Sequence, residues 1–140
     1  GTVFPVDYRG TDLVREINPN TGVQSNSFSP QVPASFDVNY GDIDVYSPTG
    51  NLFIVSSVQN TVREVTPDGT FVRDIDLDAL GISGMSGIAI DAINDIAWIS
   101  SINGSVYEVS GLFTPVPLPG AIWLFLSGGV LLAAKRRAGK

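Results

Sequence analysis

Short runs of alternating apolar and polar residues, bounded by glycine, proline, asparagine or aspartate, fill residues 1–111 of the chain. Such runs are typical of β-strands that bury one face. The clearest series predicts strands at Asp42–Tyr46, Leu52–Ser56, Thr61–Val65 and Thr70–Leu77. A proline, an aspartate and a glycine in Thr66–Gly69 stand where turn geometry favours them. The pattern therefore predicts an all-β domain over residues 1–111.

This series of strands recurs along the chain. Residues 94–109 align without gaps on residues 50–65, an offset of 94 minus 50, or 44 residues. A further copy at residues 1–17 fits with one extra residue before Leu13. The copies share Val-Arg-Glu-Ile at 14–17, Val-Arg-Glu-Val at 62–65 and Val-Tyr-Glu-Val at 106–109, and Gly41–Tyr46 matches Ser86–Asp91. Four strands in about 45 residues are typical of a β-propeller blade.

The repeats are incomplete at both ends. The first unit lacks its first strand, the second has all four and the third lacks its last, so the chain holds about two and a half four-stranded blades, whereas a closed propeller needs about four or more. The strand–turn pattern resembles NHL-type and YWTD-like propeller blades. No signal peptide follows Gly1, so we expect missing upstream sequence or a partner that completes the sheets. A two-layer β-sandwich is the alternative fold.

The composition changes beyond residue 111. Residues 112–119 are uncharged and rich in proline, which predicts an extended linker. From Ala121 to Ala134 no residue is charged and only Ser127 is polar. A helix over 120–134 would span roughly 22 Å at about 1.5 Å per residue, against a hydrocarbon core of ~30 Å. We predict one C-terminal transmembrane helix within residues 120–140; a buried core helix is the alternative.

Flanking residues make up the difference in length. Trp123 suits one membrane interface, and the basic side chains at the other end can extend to the second interface. Gly129 and Ala133 form a small-x-x-x-small pair suited to contact with another helix. The predicted anchor residues are Trp123, Lys135, Arg136 and Arg137.

Charge is divided between the domain and the tail. The chain has 14 acidic and 8 basic residues, a net charge of −6. Four of the basic residues lie in 135–140, so the preceding part carries 4 minus 14, or −10. The positive-inside rule predicts a single-pass protein of the bacterial inner membrane, with a cytoplasmic C-terminus and a periplasmic domain. An acidic domain repels phosphate backbones, so nucleic acid is not an expected partner.

The tail also contains a recognisable motif. Val116, Pro117, Leu118, Pro119 and Gly120, followed by the apolar stretch and the basic cluster, resemble the PEP-CTERM sorting signal in its VPLPA variant. The resemblance covers about 25 residues. It implies an exported protein of a Gram-negative bacterium that is handled by exosortase, a membrane protease-transpeptidase. Leu118 replaces the family's Glu and Gly120 replaces the variant's Ala, which bears on cleavage efficiency.

Candidate chemistry in the domain rests on carboxylates. The chain has no cysteine and no histidine, which excludes disulfides, Ser-His-Asp triads and histidine zinc sites within it. Asp74, Asp76 and Asp78 alternate along a predicted strand, as a weak calcium candidate or, as we expect, a charged outer strand. Asp42 and Asp44 are either paired glycosidase carboxylates or ordinary acidic positions, and we expect the latter.

Two residue pairs recur at equivalent repeat positions. Arg15-Glu16 and Arg63-Glu64 are predicted to be exposed on strands whose valine and isoleucine face inward; a repeated ligand contact is the alternative. Ser56-Ser57 and Ser100-Ser101 are predicted to be small residues where neighbouring blades meet.

These observations predict a non-enzymatic protein without a cofactor. We expect a membrane-anchored accessory or structural subunit of a larger bacterial membrane assembly, with the membrane and other membrane-protein subunits as partners. The alternative is an exosortase-sorted surface or extracellular-matrix interaction protein, whose tail is cleaved rather than retained. A propeller lactonase or hydrolase is a third hypothesis; it requires histidines or metal-binding carboxylates around a central channel.

Overall fold

Antiparallel β-sheet makes up the fold. The computed structural model describes residues 1–7 and 12–113. The described strands are β1 (Val6–Asp7), β2 (Leu13–Ile17), β3 (Gln24–Phe28), β4 (Ile43–Tyr46), β5 (Asn51–Val55), β6 (Thr61–Val65), β7 (Phe71–Asp76), β8 (Met85–Asp91), β9 (Ile96–Ser101) and β10 (Val106–Ser110). They form a first sheet β1-β2-β3, a second sheet β4-β5-β6-β7 and a third sheet β8-β9-β10. The predicted all-β class is confirmed.

The strand counts follow the predicted repeats. The sheets have three, four and three strands, as expected for a first unit without its first strand, a complete second unit and a third unit without its last. In the second sheet the observed strands begin or end within one residue of the predicted bounds. Asp78 differs from the prediction. It lies in a short 3₁₀-helix, Asp78–Leu80, and not on the strand face that holds Asp74 and Asp76.

Two hydrophobic cores join the three sheets. The first core lies between the first and second sheets and contains Val14, Phe36, Val38, Leu52, Ile54 and Val65. The second core lies between the second and third sheets, with Phe53, Val55 and Val62 from one side and Ile88, Ala97, Ile99 and Val109 from the other. The second sheet is therefore covered on both faces, which explains why β5 and β6 are almost entirely buried. Three successive sheets replace the two-layer sandwich considered from the sequence.

One glycine turn shows how closely the first two sheets approach. Gly69 has a φ of 89°, the left-handed conformation that glycine adopts without strain. A Cβ atom at this position would overlap the ring of Phe28 at the end of β3. The turn-forming sequence therefore also provides space for a contact between two sheets.

The predicted gapless alignment of the repeats needs one correction. Leu52 pairs with Val65 in the second sheet, whereas Ala97 pairs with Val109 in the third. The connecting turn is one residue shorter in the third sheet, because Ser56 N donates to Thr61 O but Ser101 N donates to Ser105 O. Strand β9 is thus offset by 45 residues from β5, and Trp98 occupies the position of Phe53. This single step decides which face of the third sheet each side chain occupies.

The predicted tail lies outside the described residues. This applies to residues 114–119 of the linker, the sorting motif, the small-residue pair Gly129 and Ala133, and the anchor residues; the motif and anchor residues are Val116, Pro117, Leu118, Pro119, Gly120, Trp123, Lys135, Arg136 and Arg137. Leu112 and Phe113, the first two residues of the predicted linker, are described and are buried in the second core. Within residues 1–7 and 12–113, no helix has the length and apolar character to cross a membrane.

Candidate functional site

A buried arginine lies at the boundary between the first two sheets. Arg63 on β6 is only 1% exposed, and its Nε and Nη2 atoms donate to the two carboxylate oxygens of Asp74, each at 2.7 Å. Its Nη1 atom donates to the carbonyl oxygens of Pro30 and Ala34, at 3.0 Å for the latter. Bidentate ion pairing of this kind is strong and directional. Arg63 therefore attaches the segment 29–38 to the second sheet.

Aromatic rings complete the surroundings of this guanidinium. The Arg63 Cζ atom lies 4.4 Å from the ring centroid of Phe36 and 5.3 Å from that of Phe71. Both distances are within the range of cation–π attraction. The prediction that Arg63 and Glu64 are exposed is wrong. The segment that follows the first sheet covers the face with Arg63, and Glu64, on the opposite face of β6, is buried toward the third sheet.

A shallow cleft opens beside the arginine. It has a volume of about 230 Å³ and is lined by Ala34, Ser35, Phe36, Gln59, Thr61, Arg63 and Asp74. Its polar groups are already engaged: Gln59 accepts from Asp37 N and donates to Ser35 O. The Arg63 guanidinium and the Asp74 carboxylate likewise bind each other. The residues at the base of the cleft therefore hold the loop in place.

Glu64 connects the second sheet to the end of the third. Its carboxylate accepts from Asn51 Nδ2 and from Arg73 Nε, each at 2.6 Å. Arg73 in turn donates through Nη2 to Leu112 O at 2.9 Å. The repeated Arg-Glu pair thus contributes to both boundaries of the second sheet. Arg63 binds the segment after the first sheet, and Glu64 binds Arg73, which donates to the backbone after the third sheet.

Asp42 and Asp44 hold the edge of the third sheet. Asp44 Oδ2 accepts from Ile90 N at 2.7 Å and Asp42 Oδ2 from Ile88 N at 3.3 Å. Both donors lie on β8, an edge strand whose outer N–H groups would otherwise lack β-sheet partners. The two-residue spacing of the carboxylates matches the two-residue spacing of these N–H groups. The pair is engaged in joining two sheets.

The three alternating aspartates have separate local partners. Asp74 binds Arg63, Asp76 Oδ1 accepts from Asp78 N at 2.8 Å, and Asp78 Oδ1 accepts from Asn60 Nδ2 at 2.8 Å. The change from strand to 3₁₀-helix after Asp76 removes Asp78 from the shared strand face. Within residues 1–7 and 12–113, no group of three or more acidic side chains is placed to hold a metal ion.

Asp12 is a buried carboxylate at the first core. Burial raises its pKa above the usual value, and the nearby Asp37 carboxylate raises it further. Gln31 Nε2 donates to Asp12 Oδ2 at 2.7 Å and to Phe36 O at 2.5 Å. These bonds hold the segment 29–38 from its other side.

The repeated serines close loops at the ends of two strands. Ser56 Oγ donates to Asp37 O at 2.5 Å and accepts from the backbone of Val58 and Gln59. Ser101 Oγ donates to Ser83 O at 2.7 Å and accepts from Asn103 N. Ser56 and Ser101 are therefore the equivalent pair, so hydrogen bonding as well as small size accounts for their recurrence.

The outward-facing side chains of the third sheet include two exposed apolar residues. Trp98 is 44% exposed and Val106 is 66% exposed. The pairings Trp98–Ala89, Trp98–Glu108 and Ser100–Val106 place these side chains on the face opposite the second core. We define the outward face of the third sheet as Ala89, Trp98, Ser100, Val106 and Glu108. An exposed tryptophan beside a β-branched residue is typical of a protein-binding surface.

The outward face of the third sheet is not predicted by the aligned repeats. In the gapless alignment Trp98 is equivalent to Ile54, which is buried in the first core. In the structure Trp98 is equivalent to Phe53. The alternation of Ala97, Trp98 and Ile99 was the available signal, because the two smaller residues face the core and the tryptophan does not.

Comparison with known proteins shows no match: no family model matches the chain, and no curated protein matches it.

Proposed function

We propose that this chain is a non-catalytic assembly subunit, anchored in a bacterial membrane, whose β-domain binds another protein subunit on the periplasmic side. The outward face of the third sheet carries this proposal. It combines an aromatic residue, a β-branched residue and a carboxylate on one flat surface. Aromatic side chains are enriched in the central part of protein interfaces.

The arrangement of the sheets supports an incomplete propeller. Each of the two cores joins one face of a sheet to the opposite face of the next, as in successive propeller blades. Open propellers leave an uncovered sheet face at each end. A partner that covers such a face would complete the burial that the second sheet already has.

The carboxylates that suggested chemistry take part in structural bonds. Asp42 and Asp44 accept from the edge of the third sheet, and Asp74 neutralises a buried arginine. These interactions within the domain support a structural role for the three carboxylates rather than a role in proton transfer. The acidic domain and the basic tail are consistent with a periplasmic domain and a cytoplasmic C-terminus.

A second candidate function rests on the sorting motif. Residues 116–120 resemble the VPLPA-type signal, which favours an exosortase-processed surface or extracellular-matrix interaction protein. The two candidates differ in whether residues 120–140 remain on the mature chain. They agree that the β-domain acts by contact.

Gentle solubilisation of native membranes, size-exclusion chromatography and intact-mass measurement test the proposal. We expect a chain that ends at Lys140 and elutes in fixed stoichiometry with other membrane proteins. Trp98→Asp is expected to abolish this co-elution, whereas Ile93→Asp is the control, because Ile93 is 94% exposed in the β8–β9 turn and outside the outward face. A chain that ends near Pro119 and elutes alone would support the sorted surface protein instead.

A further inference from the structure

The two internal boundaries between sheets have the same polarity. In the second sheet, the face with Phe53, Val55 and Val62 packs against the third sheet. The equivalent face of the first sheet packs against the other face of the second sheet. In the first sheet this forward-facing set includes Phe4, Val6 and Val14, which contribute to the first core. Applying the same rule to the third sheet assigns its outward face, with Trp98 in the position of Phe53, to contact with a following sheet.

The opposite end of the molecule presents the complementary type of face. Val3 pairs with Ile17, and Arg15 occupies the position that Arg63 has in the second sheet. We define the outward face of the first sheet as Val3, Arg15 and Ile17; Val3 is 50% exposed. The two outward faces combine apolar side chains with opposite charges, Arg15 on one and Glu108 on the other.

From these two matches we infer that the outward face of the third sheet binds the outward face of the first sheet of a second copy of this chain. The inference rests on the proposed function and names the partner at that surface. The contact is head-to-tail, because it joins two different surfaces of the same chain. Two copies that make this contact at both of their outward faces form a closed dimer.

The test uses the full chain, purified in detergent, with the protein mass determined by light scattering. The wild type is expected to be a dimer. Trp98→Asp and Val3→Asp each place a charge in one of the two faces and are expected to weaken self-association by about tenfold or more. Ile93→Asp is the matched control and remains dimeric. Val106→Asp is a second variant of the same face, and circular dichroism verifies that each variant is folded.

Mixing the two monomeric variants distinguishes head-to-tail contact from symmetrical contact. A Trp98→Asp chain retains an intact first sheet and a Val3→Asp chain retains an intact third sheet, so a mixture forms one intact boundary. We expect the mixture to form a one-to-one dimer, although neither variant dimerises alone. Failure of the mixture to associate while the wild type is dimeric would overturn the inference.

A monomeric wild type, or self-association that persists in both variants, would also overturn it. Neither result decides the proposed function. If the purified chain is monomeric but Trp98→Asp still loses co-elution with the native membrane assembly, the outward face of the third sheet binds a different subunit. If the wild type is dimeric and the native chain is cleaved near Pro119, the self-association stands and the anchored-subunit proposal fails.

Discussion

Arg15 and Arg63 occupy the same position in the same short motif, Val-Arg-Glu followed by an aliphatic residue, and yet their surroundings differ. Arg63 is buried, ion-paired with Asp74 and bound to two carbonyl groups. Arg15 is partly exposed, lies opposite Ser27 on β3, and donates to Gln24 at 3.2 Å. Among the described residues of the first sheet, Arg15 has neither a carboxylate opposite it nor a covering segment.

This difference shows that the residues around the motif, rather than the motif itself, determine whether the arginine is buried. A buried arginine needs a charged partner and acceptors for its remaining N–H groups. In the second sheet Asp74 and segment 29–38 supply both. Arg15 lies on the outward face of the first sheet, which is the face that another sheet covers in the proposed contact.

The largest effect is expected from removing the buried arginine. Arg63→Ala would leave Asp74 without its ion-pair partner, free two carbonyl groups of their donor and create a cavity beside Phe36. We expect a loss of about 3–5 kcal/mol in the free energy of unfolding, because breaking a buried ion pair leaves uncompensated polar groups. Urea denaturation of the full chain in detergent measures this loss.

Arg15→Ala is the matched variant in the first sheet. Its side chain is partly exposed and makes one side-chain hydrogen bond, so we expect a change of about 0.5 kcal/mol or less. Equal losses for the two variants would contradict the contrast between the two sheets. A small loss for Arg63→Ala would show that the segment 29–38 is held mainly by Phe36 and its apolar neighbours.

A smaller effect is expected at the boundary between the second and third sheets. Asp44→Ala would remove the 2.7 Å acceptor of Ile90 N at the edge of β8. Hydrogen bonds to charged groups contribute about 1.5–3 kcal/mol, and partial exposure of Asp44 favours the lower end. Hydrogen exchange of the Ile90 amide, measured by mass spectrometry of β8 peptides, should become faster.

Asp68→Ala is the control for this second prediction, because Asp68 is an exposed carboxylate of the second sheet whose side-chain hydrogen bonds to Thr66 and Thr70 stay within the β6–β7 turn. It should leave the exchange of β8 unchanged. Unaltered exchange in Asp44→Ala would show that the edge of β8 does not depend on the aspartate pair.

Most of the fold was predictable from the periodicity of the sequence. The repeated alternation, with turns such as Thr66–Gly69, indicated the strand order and the counts of three, four and three. The register of the third sheet was not predictable, because a turn one residue shorter leaves the sequence similarity almost unchanged. That step nevertheless inverts the faces of β9 and places Trp98 away from the core.

The candidate site was less predictable because it depends on contacts between distant segments. The burial of Arg63 requires Pro30 and Ala34, which lie about thirty residues earlier. The role of Asp44 requires Ile90, 46 residues later. The local sequence shows charged residues on strands and favours exposure, whereas the partners that permit burial lie on another strand, in the segment 29–38 or in the next sheet.

Hydroxyl-radical footprinting of the native membrane assembly tests most directly whether the outward face of the third sheet is covered by protein. Tyr40, an aromatic residue that is 62% exposed on the connection between β3 and β4, serves as the internal reference. The oxidation of Trp98 relative to Tyr40 should be several-fold lower in the assembly than after its dissociation. An unchanged ratio would contradict the account, because it would show that Trp98 remains in contact with water when the chain is assembled.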